Sequence, residues 1–327
     1  MSHEIPQRVI NPIRLGFSWV QERLGRVANR YEEASIEVQP EEHFHYRPLW
    51  DSDHELFDPT YSKIRLSDWY RYVDPRQYYY FSYNAARNKT AEQLESVMQW
   101  GEQSGPLDRL APAWRQFVGT TLAPLRHFEY GAHLALVEVS RFAYGSTIEQ
   151  SAIFSAFDHL ANAQAITKLV LRMGGGSAEL AEAKRRWLEE APLQPLRAML
   201  EAILATRDWG EQWFALKVVL SPLLYANLYG GAEAGLRADG HEVLAFWCAT
   251  RLNWYREDQQ WCEALLRCLL EETVHANRPT LHAWFEQWYP AARAAVEALV
   301  LSLPPARRVK ALSEEDLTPY RELLFAE

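Results

Sequence analysis

The run Pro124-Leu125-Arg126-His127-Phe128-Glu129-Tyr130-Gly131-Ala132-His133 is where this chain first approaches metal chemistry. A carboxylate-bridged iron pair held between four helices takes a carboxylate from each of two helices and Glu-x-x-His from each of the other two. That spacing stacks carboxylate and imidazole one turn apart on one face. Three residues after Glu129 stands Ala132, and His133 comes one position late, rotated by ~100° from the required direction. Glu272 and His275, in Leu270-Glu271-Glu272-Thr273-Val274-His275-Ala276-Asn277, do have the separation. One half-motif cannot hold two irons, so Glu272 and His275 read as a solvated or interface pair near a helix end. No catalytic, cofactor-binding or metal-ligating residue is assigned to this chain.

Other constellations fall short in the same way. Glu42-His43-Phe44-His45, with His54 nearby, has imidazoles for a divalent cation but no cysteine and no helix to align them. They read as histidines that hydrogen-bond a partner surface. Gly174-Gly175-Gly176 lacks the following Lys-Ser/Thr of a phosphate loop and reads as a turn. No G-x-S-x-G marks a nucleophile. Asp51-Ser52-Asp53 is an isolated acidic pair, not a metal-binding Asp run. In Arg207-Asp208-Trp209-Gly210-Glu211-Gln212-Trp213-Phe214, Glu211 reads as a surface carboxylate beside core Trp209 and Trp213. Cys248, Cys262 and Cys268 contain no C-x-x-C pair and are odd in number, so they read as buried small apolar residues in a reducing cytoplasm.

The elements that would position these groups are helical. Residues 125–191 and 223–278 contain no proline, and no glycine follows Gly240. Leu281, Trp284, Phe285, Trp288, Ala292, Ala295, Val296 and Leu299 follow the spacing of an amphipathic helix, with a kink or break expected at Pro290. Trp254, Trp261, Leu265, Cys268 and Leu269 trace a stripe on the preceding helix. Asn277-Arg278-Pro279-Thr280 reads as stop, turn and new start, with Thr280 as cap. Ser177 or a neighbour is expected to cap the helix carrying Glu179 and Glu182. Strand signals are confined to Ile36-Glu37-Val38. The expected fold is an all-α, ferritin-like bundle of long helices.

The amino-terminal part differs. Six of the seventeen prolines lie in residues 1–75, and residues 44–83 hold 13 of the 42 aromatic residues. Such a stretch has little room to bury its rings against itself, so it must lie on its own bundle or on another subunit. One short helix is expected near Phe17–Ala28. The expected organisation is an arm over 1–75, a helical domain over 76–300 and a tail over 301–327.

Charge and hydropathy exclude several functions. A formal charge of −9 disfavours nucleic acid, and Lys184-Arg185-Arg186 and Arg307-Arg308-Val309-Lys310 are too short to form a phosphate-binding face. No stretch approaches the ~18–20 apolar residues of a membrane span, and no signal peptide is visible, so the cytoplasm is the expected location.

The words Phe44-His45-Tyr46-Arg47-Pro48-Leu49-Trp50-Asp51, His54-Glu55-Leu56, Asp58-Pro59 and Asp74-Pro75-Arg76-Gln77, in that order, resemble the β-type subunit of the multicomponent phenol hydroxylases, a branch of the bacterial multicomponent monooxygenases. The resemblance continues through Pro124-Leu125-Arg126-His127-x-Glu129-x-Gly131-Ala132, Asp158-His159-Leu160, Met173-Gly174-Gly175-Gly176, Ala183-Lys184-x-x-Trp187-Leu188, Arg207-Asp208-Trp209 and Asn277-Arg278, roughly 250 residues in all. It implies a non-catalytic scaffold subunit that has lost its iron ligands. The implied partners are a diiron α subunit, a second β subunit, a small γ subunit, a regulatory protein, and an NADH-dependent reductase carrying FAD and a 2Fe–2S cluster. In that family the α subunit converts phenol to catechol with O2. A toluene, benzene or alkene monooxygenase β subunit is the neighbouring alternative. An autonomous ferritin-like metalloprotein, or a free-standing helical binding module, would be a different class.

Overall fold

Two prolines shape the centre of the molecule. Pro124 and Pro222 lack the N–H that would continue an α-helix, and each ring crowds the carbonyl four residues back. In the computed structural model, which describes residues 16–40, 47, 49, 52–304 and 312–326, both helices continue past the proline by widening the turns before it. Helix α4 (Pro112–Phe117) passes through a π-helical segment (Val118–Leu122) into α5 (Ala123–Phe142). Helix α9 (Trp209–Trp213) passes through π-helical Phe214–Leu220 into α10 (Ser221–Leu224), then through π-helical Tyr225–Gly230 into α11 (Gly231–Ala238). The Ser221 hydroxyl donates to the Leu216 carbonyl at 2.7 Å, satisfying one acceptor there. Widened turns are uncommon and redirect the side chains they carry.

The remaining elements are α1 (Ser18–Leu24), α2 (Arg30–Ser35), α3 (Tyr80–Gln103), α6 (Ser146–Arg172), α7 (Ser177–Glu189), α8 (Gln194–Ala205), α12 (Glu242–Leu270), α13 (Asn277–Val300) and α14 (Thr318–Phe325). No strand occurs among the described residues, and Ile36-Glu37-Val38 is irregular. Helices α5 and α6 form the most extensive pair, and α12 packs on α3, α6, α14 and the 209–238 helix. Gly131 lets α5 approach α8, since a Cβ there would lie 2.4 Å from Leu200 Cδ2.

Several local expectations change. The short helix expected near Phe17–Ala28 is α1, ending at Leu24, and a second one, α2, follows beyond that range, capped by Asn29, whose side chain accepts from the Glu32 N–H at 2.9 Å. Helix α13 starts at Asn277 rather than after a Thr280 cap, because Pro279 falls in the first turn, where no N–H is needed. The same helix runs unbroken through Pro290. Before α7, the Glu179 carboxylate accepts from the Gly176 N–H at 2.6 Å, so a neighbour of Ser177 provides the cap.

One apolar core spans both expected domain boundaries. Leu56, Ile64, Leu66, Trp69 and Tyr72 from the arm, and Leu317, Tyr320 and Leu324 from the tail, are buried in it. Tyr61 stacks on Phe142 with centroids 5.2 Å apart, and Trp69 meets Trp209 at 5.9 Å. Asp208 clamps the arm to the bundle: one oxygen caps α9 through the Gly210 N–H at 2.9 Å, and the other accepts from the Lys63 N–H at 2.8 Å. The lack of a side chain at Gly210 makes room, because a Cβ would lie 2.4 Å from Ser62 Oγ. Residues 52–79 therefore lie on their own bundle, one of the two placements left open. Trp19, Val27 and Val38 point outward instead.

Candidate functional site

Four helices converge on a chain of buried charges. Glu129 of α5 accepts from the Tyr225 hydroxyl at 2.7 Å, and its other oxygen lies 2.6 Å from His159 Nδ1 of α6. The far nitrogen of that ring, Nε2, is 3.3 Å from Lys217 Nζ. The Lys217 ammonium lies 2.6 Å from Asp258 Oδ2 of α12. Asp258 also accepts from Arg76 Nη1 at 2.9 Å, from the Ser155 hydroxyl at 2.8 Å and from Trp261 Nε1 at 3.0 Å. Arg76 in turn grips Asp74, through Nη2 to Oδ2 at 2.9 Å and Nε to Oδ1 at 3.0 Å. Glu129, His159, Lys217 and Asp258 are all at 1% exposure or less.

Burial alone would raise the Asp258 pKa, but Lys217 and then Arg76 outweigh it and hold the carboxyl well below the usual carboxylate range. Tyr225 is raised well above an ordinary phenol, first by burial and then by the Glu129 charge beside it, so it remains a donor. Every member of this chain of charges has a partner, which is what a buried ionic network requires to avoid a large desolvation loss.

This donor set does not fit an iron pair. A metal needs free carboxylate and imidazole lone pairs converging on one point. Here Glu129 is engaged by Tyr225 and His159, and Asp258 by four donors. A lysine ammonium, itself a cation with three hydrogens to donate, stands between the imidazole and Asp258. Among the described residues, no three His, Cys, Asp or Glu side chains gather as a metal-binding group.

The candidates from the sequence are placed as follows. Ala132 is fully buried, and His133 turns away, its Nδ1 2.9 Å from the Ala156 carbonyl. Glu272 and His275 are not on a helix, so their spacing has no common face. Glu272 accepts from the Ser67 N–H and hydroxyl, both at 2.8 Å, and from the Val274 N–H, which together pull its pKa down to about 2. It ties the α12–α13 turn to the arm. Glu211 is not a surface carboxylate: it is buried and accepts from Trp288 Nε1 at 3.0 Å and Gln287 Nε2 at 3.1 Å. His54 lies against Tyr61, and Asp53 is exposed. Cys248, Cys262 and Cys268 are free and buried. Glu42, His43, His45, Asp51 and Arg307–Lys310 lie outside the described residues.

Local spacing could not find the Glu129–His159–Lys217–Asp258 chain, because its members sit on different helices. Signals were nonetheless there. Lys217 is the one charge in the apolar run Phe214-Ala215-Leu216-Lys217-Val218-Val219-Leu220, and Asp258 falls on the Trp254–Trp261 stripe.

Comparisons with known proteins agree with this architecture. The family model described as methane/phenol/alkene hydroxylase matches residues 50–273. The oxygenase component of phenol 2-monooxygenase from Pseudomonas sp. strain CF600 is 35% identical over 316 residues, covering 96% of this chain and 94% of its own. The beta subunit of the toluene-4-monooxygenase hydroxylase component from Ectopseudomonas mendocina is 24% identical over 245 residues, 74% of each chain. The solved phenol hydroxylase from Pseudomonas sp. OX1 superposes with a TM-score of 0.85 at 30% identity, covering 98% of this chain and 96% of that one.

Proposed function

The chain belongs to the methane/phenol/alkene hydroxylase family, and from that membership we propose that it is the non-catalytic β subunit of a phenol hydroxylase oxygenase component. Its ferritin-like bundle is that of the phenol hydroxylase to which it is similar. In the proposed assembly, a partner α subunit carries the diiron centre and converts phenol to catechol with O2. An NADH-dependent reductase with FAD and a 2Fe–2S cluster supplies electrons, and a γ subunit, a regulatory protein and a second β subunit complete the system. This chain holds the α helices in place and contributes to the dimer.

The observation that carries this reading is the Lys217 ammonium lodged between His159 and Asp258. A fixed positive charge at the meeting point of the four helices repels a divalent cation and engages the donors it would need. Surface features support the scaffold role. Tyr130 and Leu134 on α5 and Phe157 on α6 are exposed apolar residues on the helices that pack most closely, a surface that fits a partner subunit. Trp19 and Val38 extend such contacts to the arm, for which residues 1–75 are the proposed limits.

Higher identity to the phenol enzyme component than to the toluene one favours the phenol branch. The test is subunit-resolved metal analysis of the purified oxygenase. Iron is expected with the partner and not with this chain; about two irons per copy of this chain, with oxygen consumption by it alone, would make it an autonomous metalloprotein.

A further inference from the structure

A second polar cluster adjoins the Lys217 chain, Trp254 lying edge-on to His159 and under the Lys217 ammonium, and is not satisfied. Arg251 of α12 is 7% exposed; among the described residues its one hydrogen bond runs from Nη1 to Asn162 Oδ1 of α6 at 2.7 Å, and its guanidinium lies 5.6 Å over the Trp247 ring. No carboxylate lies within ion-pair distance of it among the described residues. Its Nε is buried without a partner, as are Asn162 Nδ2 and Trp254 Nε1. Those three atoms are all donors. Burial lowers the Arg251 pKa, the sign of a guanidinium held out of water without full compensation. An unpaired buried cation is costly, and native structures rarely keep one without a counter-charge.

These residues border a cleft of about 490 Å³ between α3, α6 and α12, within the size range of small-molecule sites. Leu94, Met98 and Phe246 give it apolar walls. Its other charges are largely committed: Arg87 to Asp158 and Glu257, and Arg172 to Glu95. Counting Lys168 and Arg251 with them, four cations face three carboxylates in the lining. That surplus of one balances a monoanion rather than a dianion.

We propose that this cleft binds a small carboxylic acid with an apolar body, its carboxylate on the Arg251 guanidinium and its body against the Leu94–Met98–Phe246 wall. A planar carboxylate matches the flat guanidinium fork.

The test is 19F NMR of 4-fluorobenzoate with the intact oxygenase assembly, with unlabelled benzoate as competitor. Saturable binding that benzoate displaces is expected. Arg251→Gln should weaken it about thirtyfold or more, the usual consequence of removing one side of a buried charge contact. Should that variant fold poorly, Asn162→Asp answers independently. It places a carboxylate of nearly the same shape against Arg251, so it should raise the melting temperature of the chain and abolish probe binding. No saturable binding by the parent assembly, or equal binding by the parent and Asn162→Asp, would overturn the proposal.

Discussion

Lys217→Met removes the ammonium from the centre of the bundle while keeping most of its stem. The amine is 2.6 Å from Asp258 in a site where both side chains are at 1% exposure or less. Truncating one partner of a buried pair leaves the other charge uncompensated and costs about 3–5 kcal/mol. Arg76, Ser155 and Trp261 still donate to Asp258, so the loss should sit at the lower end, about 3 kcal/mol. For a chain of this size that corresponds to about 4 °C in melting temperature. The assay is a thermal melt of the assembled protein by calorimetry, run beside Asp258→Asn and the double variant. Removing both charges should be less harmful than the two single losses summed, with a coupling of about 1–3 kcal/mol. A Lys217→Met variant that melts with the parent, or strictly additive losses, would refute the idea that this pair organises the bundle centre.

Two further expectations concern the bundle's attachments. Gly210→Ala puts a methyl 2.4 Å from Ser62 Oγ and 2.8 Å from Ile64 Cδ1, so it should destabilise by about 1–3 kcal/mol, read as a lower melting temperature and faster proteolysis near residue 62. His127 stacks on Trp187 and accepts from Arg126, and burial followed by the Arg126 charge pushes its pKa down to about 4. The unfolded chain takes up that proton near pH 6.5 and the folded one only near 4, so stability should be full above 6.5 and fall between these values. With its partial exposure the effect is about 1–2 kcal/mol. His127→Gln should flatten this part of the stability–pH profile, and an unchanged slope would count against it.

The all-α class, the long helices and the burial of the cysteines were legible in the sequence because each depends on local rules. Proline-free spans propagate helix, and the Leu281–Leu299 stripe reports its own buried face. Failures came where a neighbour overrides the local rule. Glu211 looked solvent-facing until Trp288, far along the chain, supplied its donor. Glu272 and His275 had helical spacing on a segment that is not helical, because Glu272 instead bonds Ser67 of the arm.

The sequence by itself determined that the Glu129 stretch cannot complete a Glu-x-x-His, since Ala132 carries no donor atom whatever surrounds it. Only tertiary structure decided what fills that space. Glu129, His159, Lys217 and Asp258 are far apart in the chain and meet because four helices pack around one axis, with the widened turns before Pro222 carrying Lys217. Coulomb attraction and desolvation depend on distance and burial, which residue spacing along the chain does not specify.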